Sequence, residues 1–408
     1  MTHDADILIV GGGLNGPALA LALAKGGLRV ALMDAQPLEH LRSDTFDGRA
    51  YALALASVRA LGALGIWAQI ADHAQPILQI KASDGRPGEG IAPFFLQFDH
   101  AEIEEGPMGH MIEDRYLRRA LLDAMAETPG IQHHPGETVT AQQVTGAGVQ
   151  VTLASGRMLS ARMLVGCDGR NSPTASRAGI ARTGWDYGQT ALVCAIRHDL
   201  PHHGCAHQLF LPAGPLAILP LPGNRASIVW SEETARAEAL HHADGATYLA
   251  ALRPRFGSFL GEIALDGKRF AYPLRLTLAN SFIAPRLALV GDAAHGVHPI
   301  AGQGLNLGLR DVAALAQVLI EATRRGEDFA TQPVLERYQQ WRRFDTAVLA
   351  LGTDLFNRLF SNDNPALRMG RDLGMGIVSA LPGLRRHFIR EAAGLTGDLP
   401  RLMQGRAI

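Results

Sequence analysis

Residues 6–25 read DILIVGGGLNGPALALALAK, and this stretch decides the fold of the chain. The apolar run at 6–10 is too short for a helix and is typical of a buried strand. Three glycines follow it, and the Ala- and Leu-rich run at 16–25 then predicts a helix with small residues towards the sheet. A second apolar run at 28–33 predicts another strand, so the chain begins with a strand–helix–strand unit.

The glycines of this stretch have the GxGxxG spacing of a dinucleotide-binding turn. Gly11 permits the tight turn, Gly13 leaves room for a pyrophosphate, and Gly16 lets the helix pack closely. The N-terminus of the helix adds free N–H groups that favour phosphate. Asp34 follows at about the 20-residue spacing at which a carboxylate accepts hydrogen bonds from ribose hydroxyls. The motif predicts a dinucleotide site and does not decide between NAD and FAD.

Composition excludes several classes of protein. The 408 residues are 47% hydrophobic and 19% charged, which allows a large buried core and excludes global disorder. A net charge of −1 argues against a nucleic-acid partner. The three cysteines have no CxxC spacing and the adjacent histidine pairs have no ligand spacing, so we expect neither a disulfide framework nor a metal site. No apolar run reaches the length of about 18 residues that a membrane span needs, so we expect a cytoplasmic protein.

Patterns outside this stretch predict the remaining elements. The elements expected are helices at 57–70, 114–127 and 305–323, strands at 149–153, 162–165 and 287–290, and a Gly- and Pro-rich loop at 82–93. Short apolar runs broken by Pro and Gly predict a mostly antiparallel sheet over about 185–270, and the sequence from about 333 onwards is helical. We therefore expect an α/β fold, with a discontinuous Rossmann-like cofactor domain, an inserted antiparallel sheet and a helical C-terminus.

A second motif favours FAD over NAD. The strand-like run 287–294 contains Asp292, which places a carboxylate at a sheet edge where ligands bind. Residues 298–311 then read HPIAGQGLNLGLRD. Gly302 and Gly304 let backbone N–H groups approach a flat ring, and the positive end of the following helix stabilises negative charge on a reduced flavin. An NAD dehydrogenase needs no such second loop.

The stretch 291–311 resembles the signature of the ubiquinone-biosynthesis aromatic hydroxylases. These form a branch of the para-hydroxybenzoate hydroxylase-like flavoprotein monooxygenases. The resemblance extends over almost the whole chain, through DGRAYAL at 47–53, CDGRNS at 167–172, and residues 189–222 and 360–376. It implies that the chain binds FAD.

The resemblance also implies roles for individual residues. Those implied to hold FAD are Gly11, Gly13, Gly16 and Asp34 at the ADP half, Arg49 and Arg115 near the phosphates, Asp292 at the ribityl chain, and Gly302, Gln303, Gly304, Leu305 and Asn306 at the isoalloxazine ring. Asp168 of the 167–172 motif would bridge the cofactor and the handling of NAD(P)H. His298, Pro299 and Arg49 are the catalytic candidates.

Several of these residues have plainer interpretations that stay open. Taken alone, Arg49 and Arg115 suit solvated surface charges. Asp168 suits the start of a turn, because Asp-Gly is a turn dipeptide. His298 suits a structural histidine bonded to the backbone as well as a proton-transfer group. Asp34 is shorter than the glutamate that the family often has at its position.

The resemblance finally implies a reaction and its partners. NAD(P)H would reduce FAD, dioxygen would give a flavin C4a-hydroperoxide, and its distal oxygen would attack the ring of a polyprenylated phenol in ubiquinone biosynthesis. The sequence contains no second strand–GxGxxG–helix unit, so NAD(P)H is expected to dock transiently. The alternatives are an FAD-dependent oxidase or dehydrogenase of the same fold, or a flavin-binding scaffold subunit of the ubiquinone-biosynthesis assembly. The ring carbon, NADH against NADPH, tail length and oligomeric state are left undecided.

The expected domain plan alternates between two domains. The segments are 1–75, 111–180 and 281–330 for the FAD-binding domain, 76–110 and 181–280 for the substrate domain, and 331–408 for the helical region. In the helical region, residues 373–389 mix Leu, Met, Ile and Phe with Arg385 and Arg386. This mixture suits peripheral contact with the inner face of a membrane and suits packing on the protein core or a partner equally well.

Overall fold

A computed structural model describes residues 3–86, 88, 90–146, 148–297, 302–360, 376 and 378–408. Two large sheets and two three-stranded sheets form the framework of these residues. The strands are β1 (Ile7–Val10), β2 (Val30–Asp34), β3 (Ala50–Ala54), β4 (Gln75–Ile77), β5 (Gln79–Arg86), β6 (Gly90–Asp99), β7 (Gly109–Glu113), β8 (Ile131–Pro135), β9 (Val139–Val144), β10 (Val149–Leu153), β11 (Met158–Ala161), β12 (Met163–Gly166), β13 (Arg182–His198), β14 (Cys205–Leu211), β15 (Gly214–Leu221), β16 (Arg225–Glu233), β17 (Ile263–Ala279), β18 (Ile283–Ala284), β19 (Leu287–Leu289) and β20 (His295–Gly296). The helices are α1 (Asn15–Lys25), α2 (Leu38–Leu41), α3 (Leu55–Ala63), α4 (Trp67–Ile70), α5 (Asp114–Glu127), α6 (Pro173–Arg177), α7 (Thr234–His242), α8 (Gly245–Phe256), α9 (Gln303–Arg324), α10 (Gln332–Phe360) and α11 (Pro382–Ala392).

The first strand of the chain lies inside a six-stranded sheet in the order β18-β19-β12-β1-β2-β8. β1 is parallel to both of its neighbours, with Ile7 opposite Val30 on β2 and Met163 on β12. β1, β2 and β12 are buried along their whole length, which explains why their sequences are continuously apolar rather than alternating. Three separated stretches of chain build this sheet. The α/β class and the discontinuous Rossmann-like architecture are therefore confirmed, while the exact domain boundaries stay predictions.

The second large layer is an eight-stranded sheet in the order β20-β17-β13-β16-β15-β14-β5-β6. Only β14 and β5 pair in parallel among the paired strands of this sheet that the structure describes. α7 and α8 contribute to its own hydrophobic core, which contains the fully buried Trp230 and Tyr248. The inserted, mostly antiparallel sheet is therefore confirmed.

Two local expectations are wrong. The predicted loop at 82–93 lies largely within β5 and β6, where Ala82 is opposite Leu96, because pairing across the sheet overrides the turn preference of the Gly and Pro residues. The predicted helix at 57–70 is divided into α3 and α4, because Gly65 has φ of +78° and the chain turns there. α7 and α8 are additional helices inside 185–270 that the broken apolar runs did not indicate.

The C-terminal residues return to the main core after α11. Ala393, Leu395, Leu402 and Met403 are buried there, and the carbonyl oxygen of Ala393 accepts a hydrogen bond of 3.0 Å from the N–H of Ala56. In the described part of the chain, no helix is both long enough and apolar enough to span a bilayer.

Candidate active site

The GxGxxG turn connects β1 to α1 at the carboxyl end of the six-stranded sheet. Gly11 has φ of +110°, and its N–H donates to the carbonyl oxygen of Met33 at 2.8 Å. A Cβ atom at Gly16 would lie 2.0 Å from the carbonyl oxygen of Gly11, so only glycine permits this approach of helix and turn. A Cβ atom at Gly13 would have no neighbour within 4 Å. The turn is therefore tightly packed at its ends and open at its middle glycine.

Asp34 ends β2 beside this turn. Its buried carboxylate packs against Gly12, where a Cβ atom would lie 2.1 Å from Asp34 Oδ2. Asp34 Oδ1 accepts a hydrogen bond of 3.0 Å from the N–H of Gln36. The acid and the glycine turn thus share one edge of the sheet, as the carboxyl ends of adjacent parallel strands must.

A short 3-10 helix, Gly291–Ala293, presents Asp292 at the same edge. Asp292 is partly exposed and accepts a hydrogen bond of 3.0 Å from Arg170 Nε. The Arg182 guanidinium donates to the carbonyl oxygens of Arg170 and Ala293, so it fastens this turn to the 167–172 loop. Arg170 lies inside the CDGRNS motif, which could have indicated it, whereas no sequence signal pointed to Arg182.

Asp168 contacts its own loop. Its two carboxylate oxygens accept hydrogen bonds from Ser172 Oγ at 2.5 Å and from the N–H of Thr174 at 2.9 Å, at the start of α6. These contacts support the plainer interpretation of Asp168 as a residue that stabilises a turn and caps a short helix.

The N-terminus of α9 is tied to β3 by one amide side chain. Asn306 Oδ1 accepts from the N–H of Ala54 at 2.8 Å, and Asn306 Nδ2 donates to the carbonyl oxygen of Ala52 at 2.8 Å. Gly302 precedes the helix in the left-handed conformation, with φ of 64° and ψ of 27°. The other ring-lining candidates, Gln303, Gly304 and Leu305, are half-buried in the first turn. His298 and Pro299 lie outside the described residues.

Arg49 is held by two carboxylates at the start of β3. Its Nε donates to Asp47 Oδ2 at 2.8 Å, and its Nη2 lies 3.6 Å from Asp114 Oδ2. Burial would lower the pKa of Arg49, but the hydrogen bond to Asp47 and the charge of Asp114 raise that pKa above its usual value. Asp114 also accepts two hydrogen bonds of 2.9 Å from Arg118 and one of 3.0 Å from the Tyr51 hydroxyl. Arg49 is therefore a permanent cation that Asp47 and Asp114 hold in place, with its side chain 38% exposed.

Arg115 is also paired. Its Nε donates to Glu113 Oε2 at 2.8 Å, and its Nη1 donates to the carbonyl oxygen of Asp44 at 2.8 Å. The guanidinium lies 4.6 Å from the centre of the Tyr116 ring and 5.6 Å from that of Phe46. These contacts anchor the loop that leads to Arg49, and they place Arg115 in a network rather than in solvent.

A buried ion pair supports the Asp292 turn from below. Asp311 Oδ2 accepts from the N–H of Gly291 at 3.0 Å and lies 2.5 Å from His295 Nε2, while Asp311 Oδ1 accepts from Arg342 Nε at 2.7 Å. Asp311 and Arg342 are both fully buried. Burial would raise the pKa of Asp311, but its interactions with His295 and Arg342 hold that pKa below its usual value. The sequence analysis missed His295 and Arg342, although His295 follows Asp292 within one motif.

The GxGxxG turn, the Asp292 turn and the first turns of α9 meet around Asn15. Together they form a polar cradle that fits a flavin dinucleotide. Asn15, at the start of α1, packs between Gly291 and Gly308, where added Cβ atoms would each lie 2.3 Å from Asn15 Nδ2. Asn15 Oδ1 is buried and has no hydrogen-bond partner. The unpaired buried acceptor suits a hydroxyl group of such a cofactor, and the open space at Gly13 suits its phosphates.

The comparisons with known proteins agree with this cradle. Residues 4–348 match the FAD binding domain family. The chain is 44% identical over 404 residues to ubiquinone hydroxylase UbiL of Rhodospirillum rubrum, covering 98% of this chain and 93% of that protein. It is 36% identical to 3-demethoxyubiquinol 3-hydroxylase of Escherichia coli, covering 97% of this chain and 100% of that protein. The crystal structure of p-nitrophenol 4-monooxygenase PnpA from Pseudomonas putida has the same fold, with a TM-score of 0.81 at 20% identity over 97% of this chain and 99% of that one.

Replacement of Arg342 by leucine should destabilise the protein by about 3–5 kcal/mol, because it removes the guanidinium that pairs with the buried Asp311 carboxylate. The free energy of unfolding in urea measures this, and Arg325→Leu is the matched control because its ion pairs are exposed. The folded-state pKa of Asp311 is depressed, so its contribution is present above about pH 4 and is lost as the pH falls through the folded value. The difference between wild type and R342L should therefore shrink in acid, and a difference independent of pH would contradict this assignment.

Gly16→Ala should weaken the fold, whereas Gly13→Ala should weaken FAD binding. Gly16→Ala forces a Cβ atom against the Gly11 carbonyl and should lower the free energy of unfolding by about 1–3 kcal/mol. Gly13→Ala meets no protein atom and should leave that free energy unchanged, but it should raise the dissociation constant for FAD at least about tenfold by blocking the approach of the pyrophosphate. Equal FAD affinity in wild type and G13A would show that the phosphates do not lie at this glycine.

Proposed function

This chain belongs to the family of FAD-binding flavoproteins that includes the ubiquinone hydroxylases, and we propose that it hydroxylates the aromatic ring of a polyprenylated phenol in ubiquinone biosynthesis. NAD(P)H is the reductant. One atom of dioxygen is inserted into a ring C–H bond to give a hydroxyl group. The other atom leaves as water, which takes up the hydride equivalent of NAD(P)H and one proton, and NAD(P)H becomes NAD(P)⁺. The observation that carries the proposal is the likeness, along nearly the whole chain, to ubiquinone hydroxylase UbiL at 44% identity and to 3-demethoxyubiquinol 3-hydroxylase at 36% identity.

Three segments would hold the cofactor. The phosphates would lie beside Gly13 at the N-terminus of α1, with Asp34 accepting hydrogen bonds from the ribose. Asp292 would bind the ribityl chain, and the backbone at 302–306 would lie against the isoalloxazine ring. The contacts of Asn306 with β3 support this arrangement, because they fix the ring-binding backbone to the strand that follows Arg49.

The chemistry that FAD supplies when bound is the transfer of electrons from NAD(P)H to dioxygen, with activation of one oxygen atom. The side chains of this protein position and stabilise the reacting groups. The positive end of α9 favours negative charge beside Gly302. Arg49 adds a cation that its carboxylate neighbours keep charged and fixed. His298 and Pro299, on the segment just before α9, stay predictions as catalytic residues.

The polyprenyl tail suggests a role for α11. Leu381, Leu384 and Phe388 are exposed at and along this helix, at the three- and four-residue intervals of one helical face. Arg385 pairs with Glu102 at 2.7 Å and Arg390 with Glu105 at 2.5 Å, so these arginines hold the helix on the protein. We propose that the apolar face of α11 rests in the surface of a membrane that supplies the substrate.

The reaction is tested with ¹⁸O₂. Purified protein, NAD(P)H, a polyprenylphenol in detergent and ¹⁸O₂ should give a product that carries one ¹⁸O on the ring, identified by mass and fragmentation. Consumption of NAD(P)H that yields only hydrogen peroxide would favour an oxidase of the same fold. A protein that binds FAD but never oxidises NAD(P)H would favour a scaffold subunit. The fragment that holds the label names the ring carbon.

Membrane contact is tested by point substitution, because deletion of the C-terminal residues would also remove Leu402 and Met403 from the main core. Simultaneous change of Leu381, Leu384 and Phe388 to serine should reduce the fraction that sediments with phospholipid vesicles about fivefold or more. Phe344→Ser is the matched control, since Phe344 is a 74% exposed apolar side chain on another helix, α10. Unchanged sedimentation of the triple variant would instead assign the face of α11 to a protein partner.

A further inference from the structure

Asn15 occupies the junction of the three cofactor-binding segments. It stands between Gly13 and Gly16 in the GxGxxG turn, at the first residue of α1. Its amide group fills the space that side chains would need at Gly291, beside Asp292, and at Gly308 on α9. Two glycines on distant parts of the chain thus make room for one polar side chain.

The hydrogen bonding of the Asn15 side chain is incomplete. Asn15 Oδ1 is buried without a hydrogen-bond donor. Such an acceptor is costly unless a partner completes it, so the large majority of buried polar side-chain atoms have one. The amide is therefore prepared for a group that comes from outside the chain.

We propose that Asn15 binds a ribityl hydroxyl group of the flavin cofactor. Phosphate oxygens only accept hydrogen bonds, so they leave an acceptor such as Oδ1 unsatisfied. A hydroxyl group can donate to Oδ1 and accept in turn. The ribose hydroxyls are assigned to Asp34, whereas Asn15 contacts the turn of Asp292, where the ribityl chain is assigned. Asn15 and Asp292 then bind the same part of the cofactor from two different segments.

Two variants and two ligands test this assignment in the full-length protein. Asn15→Leu keeps the branched shape that packs between Gly291 and Gly308 and removes both polar atoms, while Asn15→Ala removes the packing as well. The dissociation constants are measured for FAD, by flavin fluorescence, and for ADP, by competition, since ADP lacks the ribityl chain. Both variants should bind FAD about tenfold more weakly and should bind ADP within about twofold of wild type.

Two results would overturn the proposal. Unchanged FAD affinity in both variants would show that Asn15 does not touch the cofactor. Equal weakening of FAD and ADP would assign the amide to the phosphates or to packing of the turn. Thermal unfolding of the FAD-free protein identifies a variant that is misfolded, and N15A decides the question where N15L does not fold.

The inference rests on the proposed function only through its cofactor. FAD affinity is measured without substrate, NAD(P)H or turnover, so a failure of ring hydroxylation would leave the result on Asn15 intact. Conversely, a normal ¹⁸O incorporation with unchanged FAD affinity in N15L would reject the role of Asn15 and retain the hydroxylase.

Discussion

The buried carboxylate of Asp311 is the contact on which the geometry of the site depends. It joins the N–H of Gly291, the ring of His295 and the guanidinium of Arg342, which come from the Asp292 turn, β20 and α10. A buried ion pair adds little net stability over an apolar replacement, but removal of one partner is severe. The main effect of the ion pair is therefore to fix the positions of the Asp292 turn and of the helices α9 and α10 relative to one another. A displacement of the turn or of either helix would take a partner away from the buried Asp311 carboxylate.

The site could be predicted from the sequence where chemistry demands fixed residue types at short spacing. The GxGxxG turn, Asp292 and the glycines that precede α9 are of this kind, because each depends on its own stretch of chain. Arg342 could not be predicted, because its contact with Asp311 joins two long helices whose packing no local pattern encodes. The role of Asn15 could not be predicted from the sequence for a related reason. Its significance depends on Gly291 and Gly308, which the chain brings to it only in the folded state.

The fold shows the same division between local and long-range information. The βαβ unit and α5 are predicted directly by the spacing of apolar residues within their own stretches of sequence. Residues 82–86 of β5 fall in the predicted loop because one pairing partner of this strand, β14, lies more than a hundred residues later, with Ala82 opposite Gln208. Gly85 belongs to β5, and Gly90 and Pro93 belong to β6, so residues that are typical of turns take part in these strands. Strand content that depends on such distant pairing is beyond the reach of local propensity.

A network of charges also aligns the eight-stranded sheet with the cofactor cradle. Glu113, at the end of β7 and almost fully buried, accepts hydrogen bonds from Arg115 and from Arg225 at the start of β16. Arg225 continues to Asp266 on β17 at 2.7 Å. A displacement of the sheet by a few ångström would separate Arg225 from the buried Glu113 carboxylate and so remove one of its two cations, which is costly. Ring hydroxylation requires the aromatic carbon and the reactive flavin to be held in a fixed relation. In the predicted plan, which places the aromatic substrate on the sheet and the flavin in the cradle, this network would hold the two parts in that relation before either ligand binds.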